Sequence, residues 1–334
     1  MIQLIRRFRF LFVALVIAAC TVGTPLLAQP SPSNPNANAV NEQMLLRQLG
    51  KVQGRVDLPD KRESVLIQPA GREWRFFHEV VLNVFGIAAI LGTLALLGVF
   101  YWFRGPIRIE AGRSGFTIIR FDAIERFVHW LAGTTFVILG LTGLNFTYGK
   151  KVLLPLIGPD AFSPFTEACK YAHNFLSFPF VLGVIGMLLL WAKDNLPTAV
   201  DIKWLKEGGG FVGSKHPPAW RFNAGQKLLF WGVVFATILV AVPGYTLVFP
   251  FYVTSIGGMQ VAEMVHAIGA MLFIAAIIAH IYIATIGMEG GIDAMADGKV
   301  DLNWAKQHHS LWVEQELHGK APAGKPTGAV MPAE

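Results

Sequence analysis

Residues 263–288, EMVHAIGAMLFIAAIIAHIYIATIGM, are apolar almost throughout and long enough to cross a bilayer. A segment immersed in lipid must satisfy its own backbone hydrogen bonds, so this stretch has to be a helix. It carries His266 and His280, fourteen residues apart. That is nearly four turns, so both imidazoles project from one face, about 21 Å apart along the axis. Ionisable residues inside a span are costly and default to a functional reading.

The rest of the chain is of the same kind. Of its 334 residues 53% are hydrophobic and 15% charged, and mean hydropathy is +0.48. Soluble domains carry about 25% charged residues. The fold class expected is an all-α integral membrane protein. The net charge of +6 does not imply nucleic acid, because Lys and Arg concentrate in loops between apolar runs. Cys20 and Cys169 form no C-x-x-C pair, which excludes a zinc ribbon, an iron–sulfur site and covalent C-x-x-C-H haem attachment.

Residues 1–28 open with Arg6, Arg7 and Arg9 before a short apolar run, and read as a signal peptide. IAAC at 17–20 also fits a lipoprotein box at Cys20, and an uncleaved anchor is the other alternative. Residues 29–75, rich in Pro, Asn and Ser at their start, read as a periplasmic linker. An additional transmembrane helix is expected within 76–104, with His78 at its interface, and a cytoplasmic loop at 105–119. Residues 120–290 hold four further spans, at about 120–148, 163–191, 223–249 and 263–288. The third is expected to start at Ser163-Pro164, an N-cap and first-turn proline. Pro243 should kink the fourth. Arg104, Arg108, Arg113 and Arg120, then Lys193, Lys203, Lys206, Lys215 and Arg221, place the loops at 105–119 and 193–221 and the tail, 291–334, in the cytoplasm. Lys150 and Lys151 are exceptions. The expected location is the bacterial inner membrane.

Depth then pairs the histidines. His173 lies nine residues after Pro164 and His266 eight after Gly258, both near the outer side. His129 lies nine residues after Arg120, and His280 eight before Met288, both near the inner side. The four are candidate axial ligands of two b haems: His129 with His280 for an inner one, His173 with His266 for an outer one. Gly133, Gly140, Gly183 and Gly269 would let flat porphyrins approach the helices. A membrane histidine can equally bridge helices by hydrogen bonding. His216, His308, His309 and His318 fall in loops or tail and read as solvated, or as contacts to lipid headgroups or a partner.

At these residues the chain resembles the cytochrome b556 (gamma) subunits of membrane-bound formate dehydrogenases. The matching stretches are RFVHW at 126–130, KYAH at 170–173, RFNAGQK at 221–227, Phe230-Trp231, VHA at 265–267, AHIY at 279–282, GKV at 298–300 and WAKQHH at 304–309. The resemblance covers about residues 121–312. The first 115 or so residues exceed the minimal family pattern.

The resemblance implies an electron conduit. A molybdenum or tungsten alpha subunit oxidises formate outside the membrane, an iron–sulfur beta subunit feeds the outer haem, and the inner haem reduces a quinone near the cytoplasmic face. It implies a quinone site at Asn223, Gly225 and Gln226 beside His280, where a helix N-terminus can donate to a carbonyl. The alternative reading of the same turn is a plain helix cap. Arg126 and Lys227 would pair with haem propionates or snorkel to headgroups. Two other readings stay open: a cytochrome b partner of a hydrogenase or other respiratory reductase, and a non-redox membrane scaffold or transporter.

Overall fold

The computed structural model describes residues 71–210, 216–250, 252–318 and 330–332. The signal expected at 1–28, the alternative lipidation at Cys20 and the linker up to residue 70 lie outside the described residues.

Among the described residues five helical stretches are long and apolar enough to cross a membrane: Glu73–Arg104, Ala123–Val152, Leu154–Trp191, Ala224–Val248 and Ile256–Gly287. The regular helices within them are α1 (Leu82–Arg104), α2 (Ala123–Leu144), α3 (Leu154–Trp191), α5 (Ala224–Val248) and α6 (Ile256–Tyr282), with the short α4 (Ala199–Lys206) between α3 and α5. Their ends are written in the sequence. Asp122 and Glu125 form a reciprocal cap at the start of α2, and Asn223 and Gln226 do the same at α5. α1 stops at Gly105, whose φ of 66° is accessible to glycine at little cost.

The third span differs from expectation. It begins at Leu154, breaks at Gly158 with φ 75°, and resumes at Pro159. Pro159 can open a helix because it has no amide hydrogen to leave unpaired. Ser163-Pro164 therefore lies inside the helix, and the short loop expected over 149–162 is helical instead.

Close approach of small residues sets the bundle. A Cβ added to Gly183 on α3 would sit 2.9 Å from the Ala132 backbone nitrogen of α2. One added to Gly269 on α6 would meet Leu239 and Val240 of α5 at 3.2 Å. Both glycines serve helix–helix contact rather than porphyrin clearance. Gly133 opens onto space, with nothing within 4 Å. α1 packs on α6 where Gly86 meets Met271.

The centre of the bundle is a layer of three phenylalanines. Phe136 lies 4.5 Å from Phe273 and 5.7 Å from Phe180, ring centre to ring centre. Each stands seven residues from a candidate ligand: Phe136 from His129, Phe180 from His173, and Phe273 from both His266 and His280. Seven residues are about two turns, so the layer lies midway between the two histidine levels.

One end of the bundle carries a folded cap that the sequence did not announce. β1 (Phe116–Ile119) pairs antiparallel with β2 (Lys299–Asp301) and with β3 (Met331–Pro332), in the order β2-β1-β3. Ile118 faces Val300 in register, and both are buried. α7 (Leu302–His308) and α8 (Ser310–His318) follow β2. The loop after α1 and the tail, expected as separate cytoplasmic segments, are thus joined. Ser114 donates from both N and Oγ to Asp301, and Arg113 pairs with Asp293 at 3.3 Å.

Candidate functional site

The four membrane histidines meet in two pairs. His129 of α2 and His280 of α6 have ring centres 6.2 Å apart, with their planes at 70°. His173 of α3 and His266 of α6 have ring centres 6.1 Å apart at 72°. Two imidazoles bound to opposite sides of one metal through bonds of about 2 Å leave ring centres roughly 6 Å apart. Direct hydrogen bonding between the rings is not found at either pair. The spacing therefore fits a shared metal ligated by both rings, and the residues present suit haem b.

The second nitrogens support the same fit. Thr142 Oγ1 donates within its own helix to Ile138 and Leu139 carbonyls, so it accepts from His173 Nδ1 at 2.8 Å. His266 Nδ1 donates to the Val240 carbonyl at 2.8 Å. Both contacts hold the proton on Nδ1 and leave Nε2 free to bind metal. Glycines flank the His173 and His266 rings: a Cβ on Gly244 would sit 3.1 Å from His266 and one on Gly143 3.5 Å from His173. His129 Nδ1 is buried without a partner. Thr142, which touches His173 Nδ1, was not foreseen because a hydroxyl in an apolar helix usually bonds its own backbone.

At the start of α5 the cap is closed on itself. Asn223 Oδ1 accepts from Gln226 N, and Gln226 Oε1 accepts from Asn223 N. Asn223 also lines a cavity with Trp204, His216, Met288, Gln307 and His308. Neither Gln226 nor His280 lines that cavity. Gly225 packs against the Trp204 ring.

Lys227 departs from its expected role. Its ammonium donates to Asp201 Oδ2 at 2.8 Å and to the Leu196 carbonyl at 3.0 Å, and the pair is buried. Its charge is satisfied there, so this geometry supports neither a propionate contact nor snorkelling. Arg126 donates from Nη1 to the Ala296 carbonyl, while its Nε is buried without a partner.

Three loop histidines also need correction. His309 is 1% exposed, with Nδ1 donating to the Trp220 carbonyl at 2.7 Å. His308 packs on Trp304 and His216. His216 is bonded to Glu110. They are not solvated, because β2 folds the tail back under the bundle. The side chain of His318 lies outside the described residues.

Two arginines, also unforeseen, anchor that fold. The Arg120 guanidinium sits 5.2 to 5.4 Å from the rings of Phe121, Trp304 and Trp312 and donates to the Arg221 carbonyl at 2.6 Å. Arg221 donates back to the Arg120 carbonyl and to both oxygens of Glu125. Burial, then the neighbouring Arg221, pulls Arg120 down to about 9.

Residues 120–298 match the family described as prokaryotic cytochrome b561. The formate dehydrogenase cytochrome b556(fdo) subunit of Escherichia coli K12 is 30% identical over 203 residues, which are 60% of this chain and 93% of that protein. The nitrate-inducible cytochrome b556(Fdn) subunit of the same strain is 28% identical over 205 residues, 59% of this chain and 91% of that one. The formate dehydrogenase cytochrome b556 subunit of Haemophilus influenzae is 29% identical over 213 residues, 61% and 85%. The first candidate span, Glu73–Arg104, precedes the family match. With its apolar helices and these relatives, the chain is a multi-pass membrane protein that belongs to the prokaryotic cytochrome b561 family.

Proposed function

We propose that this chain is the dihaem cytochrome b subunit of a respiratory formate dehydrogenase, handing electrons from an iron–sulfur subunit to a membrane quinone. The observation that carries the reading is the pair of histidine couples, spaced 6.2 and 6.1 Å between ring centres at opposite ends of α6. The names of the relatives supply formate dehydrogenase as the complex; in this reading an iron–sulfur subunit delivers the electrons, and a molybdenum or tungsten subunit beyond it oxidises formate. Haem b, when bound, supplies reversible one-electron chemistry.

The chain's own residues do the rest. His129 and His280 hold one group, His173 and His266 the other. Thr142 and the Val240 carbonyl fix two of those rings. Arg126, with an unused Nε, is placed for a propionate near the inner pair. Asn223 faces the cavity at the basic end, where its side-chain amide can donate to a quinone carbonyl without bringing a charge that would need desolvation. The concentration of Lys and Arg at that end favours a cytoplasmic position for it in a bacterial inner membrane.

Reduced-minus-oxidised spectra of the purified chain test this. Two non-covalent haems b per chain are expected. His173→Ala and His266→Ala should remove one spectral component, and His129→Ala and His280→Ala the other. Asn223→Ala should slow formate-to-quinone turnover while both haems still assemble and are still reduced by formate. A single haem per chain, or one component lost in both His129→Ala and His173→Ala, would sink the assignment.

A further inference from the structure

We propose that Glu110, His216 and His308 form a proton-entry relay serving the cavity at Asn223. The inference rests on the quinone reading above and adds the route by which its protons arrive.

Glu110 stands at the surface, with its side chain 62% exposed, and its Oε1 lies 3.0 Å from His216 Nε2. The His216 side chain is only 16% exposed. Its other nitrogen, Nδ1, is buried without a hydrogen-bond partner. The His308 ring stands edge-on to His216, 5.6 Å between centres at 90°, and its Nε2 is also buried without a partner. Both imidazoles line the cavity that Asn223 lines. A histidine kept only for packing would bond its buried nitrogens, as His309 does through Trp220. Two unpaired ring nitrogens at one small cavity are instead poised to exchange protons with what enters it.

The loop carrying Glu110 is held in place. Glu110 N donates to Gln307 Oε1 at 2.9 Å, and Gln307 Nε2 donates to the Arg108 carbonyl at 3.0 Å. The first residue of the relay is thereby fastened to the helix bearing the last. Glu110 precedes residues 120–298, which match the family model, and His308 belongs to the WAKQHH stretch at 304–309.

The chemistry balances. Converting a quinone to a quinol adds two electrons and two protons and forms two O–H bonds. The electrons are those of the proposed function. Each proton passes from water to the Glu110 carboxylate and then to His216 Nε2. His216 releases its Nδ1 proton into the cavity, and His308 Nε2, directly or across one bound water, delivers it to a quinone oxygen at Asn223. The cavity is large enough for a water. His216, Arg120 and His309 are the titratable or charged groups facing His308, and Glu110 faces His216. Burial, then His216 and Arg120, pushes His308 down to about 4, so it carries a proton only in passing.

The test uses the full chain in its membrane complex. The haems are first reduced with limiting dithionite, which makes the readout independent of the donor subunits. A benzoquinone bearing one isoprenoid unit is then mixed in, and haem reoxidation is followed by stopped flow. Glu110→Gln, His216→Ala and His308→Phe should each slow reoxidation about tenfold or more in alkaline buffer, the scale of a lost general acid or base. The deficit should shrink in mildly acidic buffer. Glu110→Asp should keep most of the rate, and added imidazole should restore His216→Ala. Normal rates in all three variants beside a slow Asn223→Ala would overturn the relay and leave the quinone site standing. Normal rates in all four would overturn both. Loss of haem in the relay variants, or a slow His216→Ala that imidazole fails to restore, would assign these residues a structural role and overturn the relay.

Discussion

A histidine that keeps its proton on Nδ1 has Nε2 to give. At the His173–His266 pair both rings meet that condition, His266 through the Val240 carbonyl and His173 through a Thr142 hydroxyl whose own hydrogen is turned to its helix. Such contacts make an imidazole more electron-rich, which favours the oxidised metal. His129, with Nδ1 unpaired, lacks this help. The component lost in His173→Ala should therefore have the lower midpoint potential of the two. Thr142→Val should raise it by roughly 40 mV, the electrical equivalent of one hydrogen bond of about 1 kcal/mol. A redox titration decides this, and an unmoved midpoint in Thr142→Val would refute it. The two histidine pairs were legible in the sequence, because helix rise converts position in a span into depth. Thr142 was not, since nothing in the order of residues reveals which side of α2 faces His173.

Among the elements, α4 and the start of α5 are joined by the buried Lys227–Asp201 contact, with Thr198 donating to the same carboxylate. Burial alone would raise Asp201, but the hydrogen bonds from Lys227 and Thr198 hold it below the usual carboxylate range. Lys227→Met strands a buried carboxylate and should cost about 3–5 kcal/mol, whereas Lys227→Met with Asp201→Leu should recover most of it. Thermal denaturation in detergent measures the cycle; a double variant no better than the single one would contradict the argument. The sequence pointed to five long apolar helices, because such runs leave a chain little choice. It misread Lys227 because a lysine near a helix end usually snorkels, and its partner arrives from another helix, 26 residues earlier. It misplaced the start of α3 because Gly158-Pro159 and Ser163-Pro164 offer the same kind of signal five residues apart, and only the fold chooses between them.

At the scale of the molecule, the cap at the basic end was invisible for the same reason, enlarged. Glu110 meets Gln307, and Ser114 meets Asp301, across nearly 200 residues. A three-residue strand such as β2 leaves no periodicity to read. The cap also gives the fold a pH dependence. His308 is held at about 4 and His309 well below its ordinary 6.5, in each case by burial first and then by neighbouring charge. Groups that bind fewer protons when folded contribute their full stability above about 6.5 and lose it as the pH falls, by about 1.4 kcal/mol per unit for each histidine. Hydrogen exchange over 299–318 should accelerate from neutral pH towards about 5, after correction for intrinsic rates, while the spans stay protected. Unchanged protection there would contradict the assignment. The layer of Phe136, Phe180 and Phe273 acts at this scale too. Phenyl rings give a proton no hydrogen bond to step along, whereas an electron needs none. In the proposed function the bundle is therefore a wire in an insulating sleeve: each charge that crosses it stays separated from its counterion, and the membrane is charged rather than short-circuited.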